Sequence, residues 1–312
     1  MQSAAPFARI GTRGSTLALY QANLVRNLLA QAHGVEPDRI EIVVITTTGD
    51  RLTDRPLSEA GGKGLFTKEI EQALIENRVD LGVHSAKDMP TLLPDGLTVG
   101  AVLEREDVRD AFVSLRWPSL DALPEGALFG TSSIRRGAQM LRFRPDLQIV
   151  PFRGNVGTRL RKLADGVAEG TLLAVAGLKR LESADRITAV LDPHQFPPAP
   201  AQGAIMIEIR SIDVAAARLV APLDHRPTAI AVAAERAMLA TVEGSCRTPI
   251  GVLTEESGDA LRMTGQLLSP DGKSSFRATE EGPADRPAEL GDRLGRDLLA
   301  LAGPGFLAKW GM

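Results

Sequence analysis

Along most of the chain, short apolar or β-branched runs alternate with stretches in which apolar residues recur every three to four positions, the periods of strand and helix. The run 7–12 predicts a strand. Ser15 then stands as an N-cap before Leu17, Tyr20, Leu24 and Leu28, and Gly34 stands where a left-handed C-cap would close that helix. Positions 40–47 (IEIVVITT) are β-branched and predict a buried strand. Thr67 can cap a helix carrying Ile70 and Leu74, and 81–84 and 97–103 predict further strands.

The pattern then restarts. Strands are expected at 111–115, 128–130, 147–152 and 171–176, with helices beginning at Ser132 and Val156. Two halves that alternate strand and helix imply two α/β domains with mainly parallel sheets. Positions 193–200 hold Pro193, Pro197, Pro198 and Pro200, which excludes a helix interior or central strand and predicts a connection between domains. A strand at 204–210 and an alanine-rich helix at 227–242 follow, then strand-like pieces at 250–254, 260–268 and 274–279 and an amphipathic helix at 287–301. This tail reads as a smaller α+β domain.

A length of 312 residues suits two or three such domains at about 100–150 residues each. With 44% hydrophobic residues the chain has a core to bury, and no apolar run approaches the ~20 residues of a membrane helix. The first residues show neither a basic nor an apolar leader segment, so the expected location is the cytoplasm. Cys246 is the single cysteine, which excludes an internal disulfide and a multi-cysteine metal site; no metal is expected.

Net charge is −3, with 4% aromatic residues, which argues against a nucleic-acid partner. Its distribution is uneven. Between Thr131 and Lys162 stand eight basic residues and one acid, Asp146, so this window is +7 and the remainder −10. Two readings stand for such a run: a solvated helix face, or a local site for an anionic ligand.

The loops at the strand ends sharpen the second reading. Gly130-Thr131-Ser132-Ser133-Ile134-Arg135-Arg136 sets hydroxyls and two arginines at a strand-to-helix junction, where free N–H groups and the helix dipole favour an anion. Arg153-Gly154-Asn155-Val156-Gly157-Thr158-Arg159 repeats the arrangement at the next junction, and consecutive βα loops of a parallel sheet share one edge. Arg13-Gly14-Ser15 is a third polar junction. His84-Ser85-Ala86-Lys87-Asp88-Met89-Pro90 ends a strand; Asp88 either turns the chain before Pro90 or presents one carboxylate among many cations. Gly61-Gly62-Lys63-Gly64 lacks the Lys-Ser/Thr pair of a nucleotide-binding P-loop and reads as a hinge or lid. Cys246 is either a small buried residue or a nucleophile or attachment point.

Taken in order, IGTRGSTLAL, GGKGLFTKEIE, VDLGVHSAKDMP, EREDVRDAF, GTSSIRR, RGNVGTRL, LAVAGLKRL, the Gln202-Gly203 turn and EGSCRTPIG resemble the porphobilinogen deaminase (hydroxymethylbilane synthase) family over about residues 8–255. The resemblance implies a transferase that joins four porphobilinogen molecules head to tail, with loss of ammonia, into the linear tetrapyrrole hydroxymethylbilane and frees it by hydrolysis. It implies a dipyrromethane cofactor bound covalently through Cys246. It places the catalytic aspartate on Asp88, and carboxylate-binding contacts on Arg13, Ser15, Lys63, Ser85, Lys87, Thr131, Ser133, Arg135, Arg136, Arg153, Arg159 and Arg180. The implied fold is two doubly wound α/β domains of the two-lobed binding-protein type plus a smaller α+β C-terminal domain. Domain one would span 1–105 and 200–220, domain two 106–199, and domain three, carrying Cys246, 221–312. The expected partner is the small-molecule substrate alone, with neither membrane nor nucleic acid, and the expected state is a monomer.

The chemistry is consistent with the residue types. Each pyrrole carries an acetate and a propionate, and the planar guanidinium fork binds carboxylates with fixed orientation. Asp88 suits the stabilisation of positive charge on pyrrole nitrogens. Glu59 stands where relatives commonly have lysine, Ser245 where they often have glycine, and Gly14-Ser15-Thr16 replaces a more usual residue-Ser-Pro. Two rival readings are a non-catalytic two-lobed receptor for small anions, which has no need of Asp88 together with Cys246, and a cysteine hydrolase pairing Cys246 with His84.

Overall fold

The computed structural model describes residues 6–51, 64–242 and 248–311. Among these, the chain first forms β1 (Ala8–Thr12), α1 (Thr16–His33), β2 (Ile40–Val44), α2 (Thr48–Arg51), α3 (Lys68–Ile75), β3 (Leu81–Ser85) and β4 (Leu97–Val102). It continues through β5 (Asp110–Val113), β6 (Leu128–Gly130), α4 (Ile134–Phe143), β7 (Gln148–Val150), α5 (Val156–Ala164), β8 (Gly170–Ala174), α6 (Val175–Arg180) and β9 (Ala189–Val190). Then come β10 (Ile205–Arg210), α7 (Val214–Val220), α8 (Arg226–Thr241), β11 (Ile250–Ser257), β12 (Ala260–Leu268), β13 (Ser275–Pro283), α9 (Pro287–Ala302) and α10 (Phe306–Lys309). Two compact units result. The described parts of Met1–Thr53, Gly62–Arg105 and Ala204–Ala229 make the first, and those of Glu106–Gly203 and Ile230–Met312 the second.

In the first unit, β1 pairs in parallel with β2 on one side and β3 on the other, and β10 runs antiparallel between β3 and β4, giving the order β2-β1-β3-β10-β4. The α1 boundaries match the sequence expectation: Ser15 Oγ accepts from the Ala18 N–H, and Gly34 closes the helix at φ 63°. Ala22, Val25 and Leu29 of α1 bury against Ile10, Leu81, Val83, Ile205 and Ile207. Full burial of each Val, Leu or Ile contributes about 1.5–3 kcal/mol. Because strand side chains alternate, Gly82 and His84 face the other side of the sheet, where α3 brings Ile70 and Leu74 over Gly82. Thr67 does occupy the N-cap position of α3, yet its side chain makes no capping hydrogen bond.

In the second unit the order is β7-β6-β8-β5-β9, with β5 antiparallel to both neighbours. Each sheet is therefore mainly parallel, as expected, with one reversed strand at the same place in the order. Neither β5 nor β10 is reached by a βα crossover from its own sheet, the connection that enforces parallel pairing. Phe112, Phe129, Met140 and Leu172 form the core on one face; Ala111, Val113, Phe152, Leu163 and Leu178 form it on the other. Four short helices, α2, α6, α7 and α10, escape the sequence reading. The strand expected to reach Ala176 ends at Ala174 and turns into α6, whose leading Val175 has strand character, and α7 begins behind Asp213, which accepts from the Ala216 N–H.

The proline-containing stretch 193–200 is not a solvated tether. Phe196, Pro197 and Pro198 are buried; the Pro197 carbonyl accepts from Arg135 and Gln139 on α4, and the Pro198 carbonyl from the Val252 N–H on β11. The antiparallel meander β11-β12-β13 completes this unit, its core made by Met238 of α8 and Leu290, Leu294 and Leu298 of α9 against Val252, Met263 and Leu267. No helix among the described residues is long and apolar enough to cross a membrane.

Candidate active site

In the first unit, β1 and β3 are parallel neighbours, so the loops leaving their carboxyl ends share an edge. This places the Arg13–Ser15 junction beside the turn that follows Ser85, and Arg13, Ser15, Gln21, His84, Ser85 and Asp88 line one recess there, walled by Phe66 and Val83. The Ser85 hydroxyl is fixed by Gln21, whose Nε2 donates to Oγ at 2.8 Å and whose Oε1 accepts from it at 3.2 Å. Ser15 caps α1. Arg13 forms a close ion pair with Asp50 and stacks over Phe66, 4.1 Å from its ring centroid. Burial pushes the Asp50 carboxyl up, but hydrogen bonds from Arg13 and Thr47 outweigh it and hold the group below the usual carboxylate range. Asp88 is half-buried at the end of a one-turn 3₁₀ segment, and Lys87 before it is half-buried.

In the second unit, β6 and β7 are adjacent and parallel, so the loops to α4 and α5 leave from one edge, as the motif spacing predicts. Ser133 caps α4 by accepting from the Arg136 N–H, so the helix begins at Ile134, two residues later than expected, and Asn155 caps α5 by accepting from the Thr158 N–H at 2.8 Å. Thr131, buried, accepts from the Ser133 N–H at 3.1 Å, and Ser132 accepts from the Phe152 N–H at 2.9 Å, tying the two loops together.

The arginines of these loops divide into two kinds. Arg135 and Arg136 are buried and share Asp110, at 2.8 and 2.7 Å. Arg135 also donates to Gln139 and to the Pro197 carbonyl, each at 3.0 Å. Arg180, on α6, is buried and donates to the Gly203 carbonyl at 2.7 Å. Arg135, Arg136 and Arg180 are thus all buried and engaged by groups of the protein itself. Arg153 and Arg159 are different: neither forms an ion pair among the described residues, and Arg153 Nη1 is buried with no hydrogen-bond partner there. Burial, with the like charges of Arg136 and Arg153, pushes Arg159 down to about 10. Concentrated, partly desolvated positive charge of this kind is complementary to a bound polyanion.

Asp110 escaped the sequence reading although it lies in the quoted EREDVRDAF motif. The available signal was the need of two adjacent arginines for a carboxylate once both are buried. Gln202 reinforces it, donating to Asp110 at 2.9 Å and to the Val108 carbonyl at 2.8 Å. Asp50 and Gln21 were missed likewise. Lys63, Glu59, Ser245 and Cys246 lie outside the described residues. Among the described residues no cluster of His, Cys, Asp or Glu could hold a metal ion.

Two family models cover the chain: porphobilinogen deaminase, dipyromethane cofactor binding domain, over residues 8–218, and the porphobilinogen deaminase C-terminal domain over 229–300. A porphobilinogen deaminase of Paracoccus denitrificans is 52% identical over 298 residues, covering 96% of this chain and 95% of that protein. The chain belongs to the porphobilinogen deaminase family. It is accordingly a transferase of porphyrin synthesis with a dipyrromethane-binding domain, and the receptor reading is set aside. Among solved structures it is similar to a periplasmic substrate-binding protein of an ABC transporter from Coxiella burnetii, with 13% identity, 74% of this chain and 97% of that one covered, and a TM-score of 0.43. A putative methionine-binding lipoprotein from Bacillus subtilis gives 12% identity, 69% and 89% coverage, and a TM-score of 0.41.

The porphobilinogen deaminase cofactor is a two-ring molecule with several carboxylates, and the donor set suits it. Nη1 of Arg153 is buried with no acceptor among the described residues, and Arg159, whose Nε donates to the Gly154 carbonyl at 2.9 Å, has no carboxylate partner among them.

Proposed function

We propose that the chain builds hydroxymethylbilane from porphobilinogen on a dipyrromethane held by a thioether to Cys246, with Arg153 and Arg159 foremost, and Arg135, Arg136 and Arg180 beside them, binding carboxylates and Asp88 stabilising positive charge. When bound, the dipyrromethane supplies the free α-carbon from which the product grows. The observation that carries the reading is the unneutralised arginine pair on the edge shared by β6 and β7. An isolated carboxylate leaving water is costly, and hydrogen bonds to charged donors, at about 1.5–3 kcal/mol each, offset that cost.

Asp88 has a separate task in its own recess. As ammonia departs from the aminomethyl group of porphobilinogen, positive charge spreads to the pyrrole nitrogen, and a fixed carboxylate that accepts its N–H is stabilising there more than in the ground state. Ser85, clamped by Gln21, and Arg13, steadied by Asp50 and Phe66, orient ring substituents around it. Lys63 and Lys87 add cationic contacts, and Thr131 and Ser133 offer hydroxyls. The reading includes a monomeric, cytoplasmic enzyme acting on a small molecule only.

Intact mass of freshly purified protein, with ammonia release from added porphobilinogen, tests the attachment. A mass increment on Cys246, lost in Cys246→Ser together with most activity, is expected; fully active protein with an unmodified thiol overturns the reading.

A further inference from the structure

Behind the Asp88 recess, β3 sends His84 to the face covered by α3. Gly82, two residues earlier on that face, leaves its space to the imidazole: a Cβ there would lie 2.8 Å from His84 Nε2 and 3.1 Å from Ile70 Cγ2. Glu208 on β10 stands in register opposite Gly82 and brings Oε2 to 3.2 Å from His84 Nε2. The two side chains are 3% and 0% exposed. Glu71 on α3, 6% exposed, completes the cluster; burial, then the negative charge of Glu208, push its carboxyl above the ordinary range, against the pull of Thr67 and His84.

The cluster is under-satisfied. Among the described residues, His84 Nε2, both Glu208 oxygens and Glu71 Oε1 have no hydrogen-bond partner. Two carboxyls and an imidazole in an apolar interior are costly unless protons are shared among them, and apolar residues of similar volume would serve stability as well or better. Their position favours a functional reason. His84 lines the recess beside Arg13, Ser15 and Asp88, and it directly precedes the clamped Ser85.

We propose that His84, Glu208 and Glu71 form a buried acid–base unit of positioning residues that holds the turn from Ser85 to Asp88 and sets the pH range in which the Asp88 recess works. The charged groups facing His84 are Glu208 from β10, Glu71 from α3, and, across the recess, Asp88 and the Arg13–Asp50 pair; α1 lines it with Leu17, Ala18 and Gln21, which do not titrate. The consequence for catalysis rests on the reading of Asp88 given above; the shared-proton unit itself does not.

The test uses holoenzyme labelled at histidine, of which the chain has four. In Glu208→Gln, the His84 ring resonance, identified by its loss in His84→Gln, is expected to move away from its parental pH profile, because the carboxylate 3.2 Å from Nε2 is gone. The acid limb of single-turnover ammonia release is expected to move with it, while the plateau stays within about threefold. An unchanged ring titration, or a pH profile merely scaled down, overturns the proposal. Glu71→Gln is read in the same way should Glu208→Gln fail to fold. If Asp88→Asn retains turnover, the Asp88 reading fails, whereas a moved ring titration still supports the unit because it requires no turnover.

Discussion

Asp88 and Arg159 show how much a single side chain depends on what lies beside it. Asp88 is half-buried in a recess that Arg13 also lines, and Arg13 is already paired with Asp50. That leaves the Asp88 carboxylate available to a positive charge arriving with substrate. Asp88→Asn keeps the size and a hydrogen-bonding oxygen and removes the charge, so it is expected to bind porphobilinogen with near-normal affinity and lose most turnover, roughly 10²–10³-fold by analogy with removal of one electrostatic contact. Single-turnover kinetics checks it, and near-parental rates would remove Asp88 from the mechanism. The motifs made both residues visible as candidates. They did not distinguish Arg135 from Arg153, because burial and partner choice come from Asp110, Gln139 and Pro197, residues that lie up to 62 positions away.

At the scale of elements, the site stands on loops whose ends are set by local chemistry. Ser15, Ser133 and Asn155 each cap a helix behind a strand by accepting from a backbone N–H three residues on; of the three, the sequence reading named Ser15, and it set the next two helix starts at Ser132 and Val156 without naming their caps. α6 and α7 were not legible, since a helix of six or seven residues lacks two full turns of periodicity. The segment with Cys246 follows α8, and α8 is fixed by α9. A Cβ on Gly291 would lie 2.0 Å from the Ala234 carbonyl oxygen, and one on Gly295 2.7 Å from Thr241 Cβ, so the two helices meet backbone to backbone. Gly291→Ala is expected to force them apart and cost about 1–3 kcal/mol. A urea titration measures it.

At the scale of the molecule, Asp110 joins the parts of the second unit. Full burial would raise its carboxyl, but Arg135, Arg136 and Gln202 overcome that and hold it far below the usual range. A carboxyl whose folded value is depressed contributes stability that is present above its unfolded value of about 3.9 and lost as pH falls below it. Stability of this unit is therefore expected to decline as pH drops from about 5 towards 3. Asp110→Asn should flatten that decline and cost about 3–5 kcal/mol near neutral pH, because two buried guanidinium groups lose their shared counter-charge. Chemical denaturation across that pH range decides the point, and a variant with the parental slope would show that Asp110 does not govern it.

By itself the sequence determined the alternation of strand and helix, the Ser15 and Gly34 caps of α1, the basic window and the order of motifs, because these depend on spacing and on bonds between near neighbours. Only the tertiary structure decided which arginines face inward, that β5 and β10 run against their sheets, and that His84 meets Glu208 over Gly82. Those outcomes depend on contacts between residues far apart in the chain, and in a low-dielectric interior the choice of charge partner outweighs any preference written locally.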